Sequence, residues 1–247
     1  MFRGARMAFV YAHPDDESFI TGGTAAHYSS QGVEVYLLCA TRGEAGRTGI
    51  PPVCAREELP RVRTEEVIRA AVTLGISEVQ FLDYRDGTLS EQPTGEMAGE
   101  IAEALLAWRP HVVVTFPPDG LSGHPDHRAV HRAARRAVAL CGERGWTVPR
   151  LFYAVFPASF WRTVGRDRPG VEESSINVTL ELGEAARVKL EAVRKHRTQN
   201  HVLRWYLNFP EEEILRLYQR EYFLLDRELS ADSDVSPTCL FAGLLDS

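Results

Sequence analysis

The chain has 247 residues, of which 44% are hydrophobic and 25% charged, enough for a sizeable buried core and inconsistent with global disorder. The formal net charge is −6, and of the 28 basic residues only Lys189 and Lys195 are lysines, the arginines being scattered; no basic patch for nucleic acid or an acidic membrane surface results. Cys39, Cys54, Cys141 and Cys239 are far apart and form no C-x-x-C pair, which argues against zinc-ribbon, thioredoxin and disulfide frameworks and for a reducing, cytoplasmic setting.

No apolar stretch approaches the roughly 18 residues of a membrane span. Met7 to Ala12 is a short apolar run, as expected of a strand covered on both faces. A helix follows over about Thr21 to Gln31, with Gly32 suited to its C-terminal cap. Val33 to Cys39 reads as a second strand, followed by a Gly-rich loop from Thr41 to Pro52. A long helix from about Arg56 to Leu74 ends at Gly75. Val79 to Leu82 is a third strand and Met97 to Trp108 a third helix, stopped before Pro110. His111 to Phe116 is a fourth strand, rich in β-branched residues. After the loop Pro117 to His124, an Ala/Arg-rich helix runs to about Cys141. Leu151 to Phe156 and Ser175 to Leu182 read as fifth and sixth strands, and helices near Glu184 to Arg197 and Glu211 to Gln219 close the chain. Ser230 to Thr238 is polar and reads as a loose segment.

Strand and helix alternate at least four times. This predicts an α/β fold of one domain: a Rossmann-like, doubly wound, mostly parallel sheet with helices on both faces. In the strand order 3-2-1-4-5, strands 1 and 4 are neighbours about 4.8 Å apart at the topological switch point. Two segments then meet at their C-terminal ends: His13-Pro14-Asp15-Asp16 after strand 1 and His124-Pro125-Asp126-His127 after strand 4. Two imidazoles and a carboxylate from His13, Asp16 and His127 would hold a metal ion and leave a position open for water, the pattern of a catalytic zinc site. Asp15, His124 and Asp126 are the residue types a hydrolase needs for proton transfer and oxyanion stabilisation. Either segment alone reads equally well as helix-capping acids; their convergence carries the metal reading. His27, His111, His131 and His201 lack such a context and read as structural or surface residues.

At these residues the sequence resembles the PIG-L/LmbE family of N-acetylglucosaminyl deacetylases. The resemblance rests on Ala12 to Glu17, Gly22-Gly23-Thr24, Thr41 to Gly46, Arg63-x-x-Glu66 with Ala70 and Leu74-Gly75, and His124 to His127. Lys189 with His196-Arg197-Thr198-Gln199 is a weaker echo of a Lys…His-x-Ser-Gln pattern, with Thr198 in place of serine. Residues 7 to about 135 carry most of it. The resemblance implies zinc, or ferrous iron, on His13, Asp16 and His127, with Asp15 as general base. His124 would stabilise the oxyanion, with its charge supported by Asp126. The substrate would be a small amino-sugar conjugate. The run Arg42 to Arg47, its continuation to Glu57, and Tyr84-Arg85-Asp86 resemble the branch acting on N-acetylglucosaminyl-malate in bacillithiol synthesis; other conjugates, of inositol or mycothiol type, are the alternative. Glu44, Arg47 and Arg63 are the candidate substrate contacts, because arginine offers a planar fork to a carboxylate or phosphate.

Two histidines and a carboxylate also describe the facial triad of non-haem iron oxygenases, and a non-catalytic binding module is a third reading. A dinucleotide-binding dehydrogenase is disfavoured, since His-Pro-Asp-Asp-Glu occupies the place of G-x-G-x-x-G. The C-terminal aromatics Trp205, Tyr206, Phe209, Tyr218, Tyr222 and Phe223 read as core, with a pocket wall or a contact in a homo-oligomer as the other options.

Overall fold

The computed structural model describes residues 2–166, 168, 170–201 and 209–244. β1 (Arg6–Tyr11), β2 (Glu34–Thr41), β3 (Glu78–Tyr84), β4 (Val112–Thr115) and β5 (Arg150–Val155) are parallel neighbours in the order β3-β2-β1-β4-β5. β1, β4 and β5 are almost wholly buried apolar runs, which a strand flanked by strands and covered on both faces requires. The strand order takes the chain one way from β1 to β3 and the other way from β4 to β5, and the right-handed rule for parallel crossovers then puts the two sets of connecting helices on opposite faces. Accordingly α1 (Asp16–Ser29) and α2 (Leu59–Leu74) pack with α7 (Ala185–Val193), while α3 (Thr94–Trp108) packs with α5 (Pro125–Glu143). The expected doubly wound, mostly parallel sheet is therefore present.

The sheet continues beyond the expected strands. β7 (Arg220–Leu225) lies between β5 and β6 (Val178–Glu181), antiparallel to both, giving β3-β2-β1-β4-β5-β7-β6. The sequence reading closed the chain with helices and missed β7. Its run Glu-Tyr-Phe-Leu-Leu follows α8 (Glu211–Leu217) with no Gly or Pro between, and a short apolar run carries no periodicity of its own. The two short helices between these elements are α4 (Gly120–Gly123) and α6 (Ala158–Thr163).

Other boundaries moved for local reasons. α1 begins at Asp16 rather than Thr21, because the Asp-Asp-Glu acids belong to its first turn. Gly75 ends α2 in the left-handed conformation, as expected. The segment 230–238 is fastened, contrary to the expectation of a loose tail. Ser230 Oγ accepts the Leu151 N–H at 3.0 Å, and Pro237 O accepts the Thr179 N–H at 2.8 Å. Fully buried Arg150 donates to Asp232 at 2.7 Å and to the Asp234, Leu240 and Ala242 carbonyls. Of the C-terminal aromatics, Tyr218 and Phe223 are core, Tyr222 is half-buried and Phe209 is exposed, while Trp205 and Tyr206 lie outside the described residues.

α1 sits close to the second half of the sheet because Gly23 has no side chain. A Cβ there would collide with Leu182. The space admits Glu221 of β7, whose carboxylate accepts the N–H groups of Gly23 and Thr24 at 3.0 and 2.8 Å and pairs with buried Lys189 at 2.6 Å. No helix among the described residues is long and apolar enough to cross a membrane.

Candidate metal centre

The β1–β4 pairing (Met7 to Phe9 against Val112 to Val114) brings the ends of both strands to one crevice. Past β1, His13-Pro14-Asp15 turns the chain into α1. Past β4, the loop 116–124 leads into α5, with His124 as N-cap and Pro125 at the first helical position, where its missing N–H costs nothing. Asp16 and His127 thus lie in the first turns of two helices.

Two imidazole nitrogens and one carboxylate converge. His13 Nδ1 lies 3.3 Å from His127 Nε2 and 3.5 Å from Asp16 Oδ2, and His127 Nε2 is 3.5 Å from the other Asp16 oxygen, Oδ1. All three residues are buried, and they form one of two His/Asp groups among the described residues able to hold a metal ion. With bonds of about 2.0–2.2 Å, the edge of a tetrahedral site is roughly 3.3–3.6 Å. The two nitrogens are 3.3 Å apart, each lies 3.5 Å from one oxygen of the Asp16 carboxylate, and one ligand atom from each residue lies within 4.8 Å of the other two, so the set fits a tetrahedral ion.

The rings are aimed by their other nitrogens. His127 Nδ1 donates to the Gly120 carbonyl at 3.0 Å, leaving Nε2 with its lone pair, and the ring stacks on Phe116 at 4.0 Å between centroids. His13 Nε2 lies 3.2 Å from Asp126 Oδ2 and 3.1 Å from Asp86 Oδ1, an outer carboxylate shell of the kind that fixes the tautomer of a ligating histidine. The Asp126 carboxylate, fully buried, also accepts the Gly87 and Leu89 N–H groups at 2.8 and 3.1 Å. These hydrogen bonds place Asp126 on His13. Its contact with His124 is through the backbone, the Asp126 N–H donating to His124 Nδ1 at 3.2 Å.

The electrostatics favour a cation. Burial works against a protonated His13, yet hydrogen bonds to Asp126, Asp16 and Asp86 outweigh it and raise its pKa well above the ordinary imidazole value. Burial likewise resists ionisation of Asp16, but His127 and His13 hold its carboxyl down at about 2. Asp15 goes the other way, to about 6: burial raises it, Arg63 opposes, and the Asp16 charge adds to the rise. Asp15 also sits at φ 124°, ψ −30°, a backbone conformation rare for any residue with a Cβ.

His13, Asp15, Arg63, Asp86, His124 and Gln199 line one cleft of about 230 Å³ with the loop glycines. Arg63, 3% exposed, spends its guanidinium inside the protein. It donates to the Gly43 carbonyl at 2.9 Å, to the Pro14 carbonyl, and to Asp15 Oδ2 at 3.0 Å. The Thr41 to Gly46 motif is explained by this: a Cβ on Gly43 or Gly46 would run into the Arg63 guanidinium. Glu44 accepts the Asp86 N–H at 2.8 Å and Arg47 is exposed; neither lines the cleft.

Two residues beside the site are not marked as participants by the sequence. Asp86 stands there only as part of Tyr84-Arg85-Asp86, and its carboxylate faces His13. His196, in the weak C-terminal echo, is fully buried with Nε2 2.7 Å from Glu17. Their signal was a position after a strand and after a helix, which does not encode contact.

The PIG-L family, described as GlcNAc-PI de-N-acetylase, matches residues 8–138, a little over half of the chain. The 1D-myo-inositol 2-acetamido-2-deoxy-alpha-D-glucopyranoside deacetylase of Saccharomonospora viridis is 35% identical over 96% of this chain and 100% of its own. Among solved structures, the N,N'-diacetylchitobiose deacetylase of Pyrococcus horikoshii aligns with a TM-score of 0.65 at 23% identity, over 89% of this chain and 83% of its own. The 4-carboxy-2-hydroxymuconate hydratase of Pseudomonas putida KT2440 aligns with a TM-score of 0.69 at 17% identity, over 95% and 99%. Those two likenesses are of fold, and a hydratase among them shows that the fold alone does not fix the reaction. The motif-bearing half of the chain and a relative aligned end to end decide the matter: the chain belongs to the PIG-L family.

Proposed function

We propose that the protein is a zinc-dependent deacetylase that removes the N-acetyl group from an N-acetylglucosamine conjugate. The observation that carries this is the triangle of His13 Nδ1, Asp16 and His127 Nε2 opening on the cleft shared by Asp15 and His124. A bound divalent ion, zinc or ferrous iron, would acidify a water and polarise the acetamide carbonyl.

The chain's own groups supply the proton transfers. Asp15, near neutral pKa in the metal-free protein and pulled lower by any cation beside it, accepts the proton of the attacking water. Arg63 holds the Asp15 carboxylate at 3.0 Å, so a substrate role for Arg63 is secondary to that task. His124 Nδ1 is taken by the Asp126 N–H, which leaves Nε2–H as the donor toward the carbonyl oxygen as it becomes an oxyanion. Asp126 supports this indirectly, by orienting His13. The C–O bond forms, the C–N bond breaks, and the proton taken by Asp15 goes to the departing amine, giving acetate and a free glucosamine nitrogen. The facial-triad oxygenase shares the donor triangle; Asp15 and His124 beside it favour hydrolysis.

For the aglycone we favour inositol. The S. viridis relative, aligned over its whole length, is named for that conjugate. Of the residues that carried the malate reading, three have internal partners: Tyr84 donates to Glu100, Asp86 faces His13, and Arg42 pairs with Asp83, while Arg47 is exposed. The test is Asp15→Ala assayed for acetate release on inositol- and malate-linked N-acetylglucosamine. The variant should keep its metal and lose turnover by roughly 10²- to 10⁴-fold, the usual contribution of a general base. Normal turnover would remove Asp15 from the base role.

A further inference from the structure

Glu17, 1% exposed, has no part in the chemistry above, yet its carboxylate has three partners behind the cleft. Oε2 accepts the backbone N–H of Asp15 at 3.0 Å. Oε1 accepts the Ser18 hydroxyl at 2.6 Å and meets His196 Nε2 at 2.7 Å. His196 arrives from the end of α7, 179 residues along the chain, and is fully buried.

Asp15 is held at φ 124°. Such a conformation persists only where the surroundings over-determine it. The Glu17 oxygen fixes the Asp15 peptide from one side, while Arg63 fixes its carboxylate from the other. A buried Glu17 without a partner would be costly, and His196 supplies that partner. His196 Nδ1 is buried with no hydrogen bond among the described residues, so Glu17 is the partner that orients its ring. The segment is also tied to α2. Thr198 donates its N–H and hydroxyl to Glu66 at 2.9 and 2.6 Å, one turn from Arg63, and Gln199 next to it lines the cleft.

We propose that Glu17 and His196 are a positioning pair that holds Asp15 in its strained, catalytically directed conformation, so that the C-terminal His196 to Gln199 segment acts on the reaction through Asp15. The inference rests on the reading of Asp15 as the base. His196 acts through Glu17 and touches no substrate.

The test is a double-mutant cycle on the metal-loaded protein, with the inositol-linked N-acetylglucosamine conjugate as probe. His196→Ala should lower kcat roughly 10- to 100-fold, the range for an outer-shell partner, with KM and metal content close to wild type. His196→Gln, whose amide reaches Glu17, should recover most of that loss. In an Asp15→Ala background, His196→Ala should cost nothing further, since the group it positions is gone. If His196→Ala does not fold, His196→Asn, which fills the space but falls short of Glu17, replaces it in the same cycle. Wild-type kcat in the His196 variants, or the same fold-loss with and without Asp15, overturns the inference and leaves the base assignment standing. Normal turnover by Asp15→Ala alone overturns both.

Discussion

Gly43 offers a quantitative test of how the loop after β2 is built around Arg63. Its φ is +71°, and a Cβ would collide with the Arg63 guanidinium. Gly145, after α5, has φ +90° and nothing within 4 Å of its would-be Cβ, so Gly145→Ala measures the backbone cost alone. That cost is about 1 kcal/mol, a Tm drop of roughly 2–4 °C for a domain of this size. Gly43→Ala bears the same backbone cost and in addition displaces Arg63. That removes its contacts to the Gly43 and Pro14 carbonyls and to Asp15. Losing one partner of a buried ion pair costs about 3–5 kcal/mol; even partial loss here should bring the total to ~3 kcal/mol, a Tm lowered by roughly 6 °C or more. Turnover should fall for Gly43→Ala, because Asp15 loses its cation, and stay at wild type for Gly145→Ala. Thermal and urea unfolding with acetate release on the three proteins checks both parts. Equal Tm losses with equal turnover would refute the idea that Gly43 exists to admit Arg63.

Asp126→Asn removes the charge facing His13 and should weaken metal binding roughly 10- to 100-fold, read by chelator competition. Unchanged affinity would detach Asp126 from the metal centre. Asp226 provides the pH test away from the site. Burial pushes its carboxyl up, but Tyr153 and Arg135, the latter at 2.7 Å, outweigh this and hold it below the usual range. A carboxyl depressed on folding contributes stability that is complete above its unfolded pKa of about 3.9 and lost as pH falls through the folded value. Asp226→Asn should therefore be less stable than wild type at pH 7, with the gap closing below about pH 4. A gap that persists at low pH would assign the effect to packing.

What could be read before the fold was known follows from where each signal lies. The convergence of His13, Asp16 and His127 was legible because their segments follow β1 and β4, and the adjacency of those strands follows from the commonest winding of such a sheet. The motifs point to Arg63 and Glu44 as substrate contacts; Arg63 lines the cleft with its guanidinium held by the Gly43 carbonyl and Asp15, and Glu44 accepts the Asp86 N–H. A motif shows that a residue is needed and says nothing of which way it points. Asp86 on His13 and His196 on Glu17 are contacts across 73 and 179 positions, made by side chains whose partners no local pattern names. β7 was lost for a related reason: its place between β5 and β6 is decided by pairing with distant strands, and its six residues carry no signal of their own.

The most direct measurement of the central claim is acetate release from inositol-linked N-acetylglucosamine by the purified protein before chelation, after chelation, and after adding back zinc or ferrous iron. The account predicts acetate matched by free amine, abolished by the chelator and restored by the metal, with His13→Ala and His127→Ala inactive under all three conditions. Release that persists in the fully chelated protein, or that survives loss of both histidines, would contradict it.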